Sequence, residues 1–201
     1  MATFQIIKNL FVRNSGMSYI GENVSVVSHL IKAGETAKQK NYDDEVVVAS
    51  LLHDCGHFLA KDNTNGYGVC DHARLGASFI RGIGLTERIA RSVELHANAK
   101  RYLVTQDSDY YNSLSFASRV TLKYQGGIMN QDEYLDFTDD PYHRDALKVR
   151  ESDDGSKTIN LTARQAELSL YKFENLINTY SNLYCQPDDL NGCRAPLCAN
   201  G

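Results

Sequence analysis

Apolar residues recur along most of this chain at intervals of three and four, the spacing that lines one face of a helix. From Asn23, NVSVVSHLIKAGETAKQK carries that pattern. DDEVVVASLLHDCGHFLA follows, with Asp43 and Asp44 set as N-terminal cap and first-turn acid. Its VVVASLL run has the β-branched content of a strand. The length of the segment and the apolar positions continuing through Phe58 and Leu59 favour a buried helix instead.

A Gly/Asn-rich loop, KDNTNGYGV, leads to DHARLGASFIRGIG, where Asp71 is the expected cap and Gly84 the expected stop. Thr86 and Glu87 open a fourth helix, TERIARSVELHANAKRYLV, and LSFASRVTLKYQGG reads as a fifth that ends at Gly126 and Gly127. Between Asn130 and Pro141 the chain is polar and acidic, an exposed connection with a short helix. YHRDALKVRESDD makes another helical piece. TARQAELSLYKFENLINTYSNLY reads as one long amphipathic closing helix capped by Thr162. The expected architecture is all-α: one helical-bundle domain over residues 1–184 and an extended tail over 185–201.

Composition narrows the function classes. A chain of 201 residues with 42% hydrophobic content suffices for one buried core. Its formal net charge of −4, with no long Lys/Arg cluster, gives nucleic acid or an anionic membrane little to attract it. No apolar stretch approaches the ~20 residues that span a bilayer. MATFQIIKNLFVRNSG holds a short apolar patch without the basic lead or apolar length of a secretory signal. The five cysteines, Cys55, Cys70, Cys185, Cys193 and Cys198, are odd in number and lack CxxC spacing, which suggests neither a disulfide framework nor a thiolate zinc site. A reducing, cytoplasmic location is the expectation that follows.

The histidines carry the chemistry. Of the six, His29, His53, His57, His72 and His96 fall inside or at the start of helices in the first half, and only His143 lies in a polar segment beyond. His53 is followed at once by Asp54 among apolar neighbours. Burying an unpaired carboxylate is costly, and a divalent metal is its most economical partner. Imidazole with carboxylate suits iron, manganese or zinc, and a helical bundle can aim His29, His72 and His96 at one centre.

The order His29, His53-Asp54, His72, His96 and a late acid in ESDDG resembles the HD-domain superfamily, named for its His-Asp pair. More narrowly, the chain resembles the mixed-valent di-iron oxygenases of that superfamily, the branch of myo-inositol oxygenase and the phosphonate-cleaving oxygenases. The closest likeness is to the 2-amino-1-hydroxyethylphosphonate type. It runs from about Tyr19 to about Lys157, through SYIGENVSVVSHLIKAG, VVASLLHDCGHFLA, DHARLGASFI, ELHANAKRYL, LSFASRVTLKYQGGIM and LKVRESDDGSK in order.

The resemblance implies two iron ions, Fe(II)/Fe(III), with dioxygen as co-substrate. His29, His53, Asp54 and Asp153 would hold one iron, and Asp54, His72 and His96 the other. Asp153 is preferred over Asp154 because the family's ligand lies three residues after the arginine that Arg150 matches. Lys100, one turn after His96, would join His57, Ser118, Gln125 and Arg150 in a pocket for a tetrahedral dianion. Tyr19 and Glu22 match a substrate-responsive gate, the acid lying near the substrate's cationic end; with Lys100 they complete the catalytic set. The implied reaction is oxidative cleavage of a 1-hydroxy-2-aminoethylphosphonate, free or N-methylated, to phosphate and glycine or its betaine. Tyr19 and Phe58, with Tyr67, are candidates for a cage around a quaternary ammonium.

Glu151 and Ser152 stand where a basic residue is expected after the arginine, and Gly155-Ser156 is an unusual pair beside Asp154. A metal-dependent HD phosphohydrolase of a phosphate monoester or nucleotide would use the same ligands to activate water, and a non-catalytic HD module is a third reading. The sequence is silent on oligomeric state.

Overall fold

The computed structural model describes residues 2–18, 24–60, 69, 71–156 and 160–181, and every regular element among them is helical. The gate pair Tyr19 and Glu22, Tyr67 with the rest of the 61–68 loop, and the tail beyond Ser181 lie outside the described residues. Among the described residues no helix is long and apolar enough to cross a membrane.

Four helices hold the centre. α2 (Val26–Gln39) packs on α3 (Asp44–Leu52), α5 (Glu87–Gln106) lies against α3, and α9 (His143–Asp154) closes on α2, α3 and α5. α4 (His72–Gly82) covers α5 from outside. In α3 every residue from Val46 to Leu52 is buried, which is what a helix apolar all round requires. The expected caps are in use: Asp43 accepts the Glu45 N–H, Thr86 that of Ile89, and Thr162 forms a capping box with Gln165. Asp71 occupies the cap position of α4, but its carboxylate bonds Arg74 instead of the backbone. Gly84 stops α4 with φ 80°, as a left-handed turn demands.

Some expectations need correction or addition. MATFQIIKNLFVRNSG is more than an apolar patch: α1 (Ala2–Arg13) buries Phe4, Ile7 and Phe11 along one stripe, each worth roughly 1.5–3 kcal/mol. A short α6 (Ser108–Ser113) precedes α7 (Phe116–Tyr124). The short helix expected between Asn130 and Pro141 is α8 (Gln131–Asp139), largely exposed but anchored by Phe137, which is buried beside Leu95, Met129 and Ala146. The long closing helix is broken into α10 (Ala163–Leu170), a 3₁₀ turn at Tyr171–Phe173 and α11 (Glu174–Thr179). The break falls where the Phe173 ring meets the backbone of Gly34 in α2.

The most consequential break is in the segment expected to run helical through Leu59. α3 stops at Leu52, Asp54 leaves helical backbone at φ −103° and ψ 11°, and Cys55–Phe58 forms a 3₁₀ turn. Gly56 is the cause. A Cβ there would stand 1.9 Å from the His72 carbonyl oxygen and 2.8 Å from the Gly76 nitrogen, so the backbone meets the start of α4 directly. Replacing Gly56 with Ala should destabilise the fold by at least about 1–3 kcal/mol and push His72 away from Asp54. A thermal melt and a count of bound metal check it, and an unchanged melt would show that the contact yields.

Candidate metal centre

The turn after α3 aims His53 and Asp54 inward, and the neighbouring helices supply the rest. His29 comes from α2, His72 from the first residue of α4, His96 from the middle of α5 and Asp153 from the end of α9. Two buried groups result, His29–His53–Asp153 and Asp54–His72–His96, each with donor atoms within 4.8 Å of one another. In the first, His29 Nε2 lies 3.1 Å from His53 Nε2 and 3.1 Å from Asp153 Oδ1. In the second, His72 Nε2 lies 3.2 Å from His96 Nε2 and 3.2 Å from Asp54 Oδ1. Asp54 reaches both: its Oδ2 is 3.4 Å from His53 Nε2 and 3.8 Å from His29 Nε2, while Oδ1 is 3.4 Å from His96 Nε2.

The outer nitrogens decide what the inner ones present. His53, His72 and His96 each pair Nδ1 with the carbonyl three residues back, on Ser50, Val69 and Val93, at 2.8, 2.8 and 2.6 Å. His29 pairs Nδ1 with Ser156 Oγ at 2.8 Å. A neutral imidazole has one N–H, so each ring spends it outward and turns a lone pair inward. Lone pairs facing across 3.1 and 3.2 Å, beside an Asp153 Oδ1 that is buried without a hydrogen-bond partner, make a site built to hold positive charge. A proton meets part of that demand: burial alone would lower His53, yet Asp54 and Asp153 outweigh it and hold the imidazole at about 10. Two cations meet it fully, and the nitrogen and oxygen donors suit iron, manganese or zinc. Burial would also raise the Asp54 carboxyl, but His53 and His72 keep it well below the usual range. His96 is driven down to about 4 by burial, which keeps its imidazole neutral.

Of the residues expected to bind substrate, Lys100, His57 and Arg150 lie beside this pair. Lys100 is 3% exposed and donates to Thr121 Oγ1 at 3.0 Å; burial, then the nearby Arg150 charge, lowers it to about 7. Thr121 donates in turn to the Ser118 carbonyl, which ties Lys100 to the backbone of α7, while the Ser118 hydroxyl accepts from Ser115 Oγ at 3.1 Å. Gln125 caps α7 with Oε1 buried and unpartnered. His57 stacks on His72 with ring centroids 4.3 Å apart and accepts the Val69 N–H at Nδ1, which turns its Nε2 toward Asp54 Oδ1 at 3.9 Å. Burial and then the His72 charge lower it to about 3. Arg150 is spent chiefly on α9 itself, holding Asp153 Oδ2 through Nη1 at 2.5 Å and Asp154 through Nη2. Asp153, not Asp154, enters the histidine group.

Phe58, partly buried, packs against Phe11 at a centroid distance of 5.9 Å and against the core cluster. His143 bonds the Asp140 carbonyl, far from this chemistry in role. Thr121 and Tyr110 carry no sequence signal of their own, and Ser156 stands out only as half of an unusual pair with Gly155; the Tyr110 hydroxyl accepts from Arg150 Nε at 2.8 Å and donates to Asp154 at 2.7 Å.

Comparison with known proteins agrees with the geometry. The HD domain family model matches residues 25–133, a span that takes in all four inward-facing histidines and Asp54 but ends before Asp153. The chain is 34% identical to a hydroxymethylphosphonate dioxygenase of Gimesia maris over 75% of its own length and 76% of the relative's. It is 31% identical to the glycine-betaine-forming [1-hydroxy-2-(trimethylamino)ethyl]phosphonate dioxygenase of Leisingera caerulea, over 78% and 81%. An uncharacterized protein of Acanthamoeba polyphaga mimivirus is 32% identical over 87% and 80%.

Proposed function

The chain belongs to the HD-domain family, in the group that includes the phosphonate dioxygenases, and from that premise we propose that it is a di-iron oxygenase of 1-hydroxyphosphonates. It would cleave the carbon–phosphorus bond with dioxygen and release phosphate. The observation that carries this reading is the shared carboxylate, Asp54, with one oxygen toward His29 and His53 and the other toward His72 and His96. His29, His53 and Asp153 would hold one iron, His72 and His96 the other, and Asp54 both. Once bound, an Fe(II)/Fe(III) pair supplies the redox chemistry with dioxygen.

The chain's own residues bind and orient. Lys100 brings a buried ammonium to the anion, steered by Thr121, and Ser118, Gln125 and His57 add polar contacts for phosphonate oxygens. Arg150 steadies Asp153 and contributes positive charge beside it. Tyr19 and Glu22 act as the gate, with Glu22 meeting a cationic nitrogen on the substrate. Both named relatives act on phosphonates with a hydroxyl on the carbon that bears phosphorus, and that shared group is what we carry over. Within the class, Glu22 points to 1-hydroxy-2-aminoethylphosphonate, free or N-methylated, giving glycine or its betaine. The enzyme would work in a reducing, cytoplasmic setting, in keeping with its cysteine pattern.

The test is dioxygen uptake by iron-reconstituted protein, with phosphate assayed in parallel, on hydroxymethylphosphonate, 1-hydroxy-2-aminoethylphosphonate and its N-trimethyl analogue. One phosphate per dioxygen is expected, with the best substrate naming the tail. Phosphate released from a phosphate monoester without dioxygen uptake would hand the site to the hydrolase reading.

A further inference from the structure

The pair Gly155-Ser156 after the acids of α9 has a structural reason. A Cβ on Gly155 would stand 3.2 Å from Thr36 Cγ2, so the bare backbone lets the end of α9 come close to α2. Ser156 is then fully buried. Its hydroxyl donates to the Asp153 carbonyl at 2.6 Å and accepts the Nδ1–H of His29 at 2.8 Å. One side chain thus joins two of the groups that face the first cation position, His29 from α2 and Asp153 from α9.

The other three histidines find their Nδ1 acceptor on a carbonyl three residues back, within their own segment. Local backbone orients those rings whatever the rest of the fold does. His29 has its acceptor outside its own segment, in the turn after α9, so its tautomer and ring angle depend on Ser156. We propose that Ser156 is the positioning residue for this half of the centre: it holds His29 with Nε2 turned toward His53 and Asp153 and ties it to the backbone of Asp153, so the two ligands arrive as one preformed pair. The proposal rests on the two-metal reading given above. Its energetic weight follows from what outer partners of metal-bound histidines are worth, about 10- to 100-fold in metal affinity.

The experiment is an anaerobic titration of iron-free protein with Fe(II), counting iron per chain and ranking affinities by competition with a chelator. Wild type should take two ions. Ser156→Ala should keep one at full affinity and bind the other about 10- to 100-fold more weakly. Ser156→Thr, which retains the hydroxyl, should stay within a few-fold of wild type. Ser152→Ala is the control for loss of a buried serine: it lies in the last turn of α9, four residues before Ser156, and its hydroxyl donates to the Lys148 carbonyl at 2.9 Å. Wild-type affinity for both ions in Ser156→Ala would overturn the proposal, as would equal weakening in Ser152→Ala or in a folded Ser156→Thr protein. A wild-type chain that takes no iron would instead sink the two-metal reading, a separate result.

Discussion

Asp54→Ala should abolish binding of both metals at once, and with them all dioxygen uptake. Among the described residues Asp54 is the one carboxylate with an oxygen toward each group: Oδ2 lies toward His29 and His53, Oδ1 toward His72 and His96. Its loss leaves each cation one ligand short and removes the negative charge that four inward lone pairs need as a counterweight. The cost to activity should exceed the ~100-fold that a change one shell further from a metal brings. Asp54 also holds up the proton on His53 together with Asp153, so the altered chain is expected to lose that stabilising pair even when no metal is added. Asp154→Asn makes the useful contrast. Asp154 bonds Arg150 and Tyr110 and enters neither group, so this variant should retain both metals. Elemental analysis of the two reconstituted variants decides the matter; an Asp54→Ala protein that keeps two irons would remove the shared carboxylate from the mechanism.

How far the residues announce this site depends on where each orienting contact comes from. The His53-Asp54 pair is legible because a carboxylate and an imidazole side by side in an apolar run demand a partner, whatever the fold. His29, His72 and His96 are legible as one histidine on each of three helices. Asp153 is separable from Asp154 only by its spacing from Arg150, a matter of resemblance, and the contacts of α9 supply the reason: Arg150 takes Asp154 on one side and offers Asp153 on the other. The end of α3 at Leu52 is not legible, because helical propensity continues past it and the cause is a backbone meeting between Gly56 and His72. Thr121 and Tyr110 stay silent for a like reason, and Ser156 shows only as an unusual neighbour of Gly155. Each is a hydroxyl with a partner on another element, and no local pattern marks such a contact. The stripe Phe4, Ile7, Phe11 is the opposite case, an ordinary amphipathic helix obscured only by its place at the start of the chain.

Lys100 should give the activity an alkaline limb. An ammonium recognises a phosphonate anion only while protonated, and burial with the neighbouring Arg150 brings Lys100 down to about 7 in the free protein. The cation therefore predominates below that pH and is lost above it, so kcat/KM should fall about tenfold per pH unit on the alkaline side. A bound dianion favours the charged form, so the limb in kcat should lie at higher pH and the loss should appear mainly in KM. Lys100→Arg keeps the charge at every pH and should lose the limb, leaving only what the ligand's own ionisation contributes. Lys100→Met should cost about 10²–10³-fold in kcat/KM and yet unfold no earlier than wild type. The sign follows from linkage: a lysine whose pKa is depressed on folding burdens the native state at low pH, and that burden is relieved only as the pH rises from about 7 toward the ordinary value of 10.5. A lysine kept for packing would behave in reverse, with stability lost on truncation and activity nearly spared. Melting curves and pH profiles of the three proteins separate the two, and an alkaline limb unchanged in Lys100→Arg would assign it to another group.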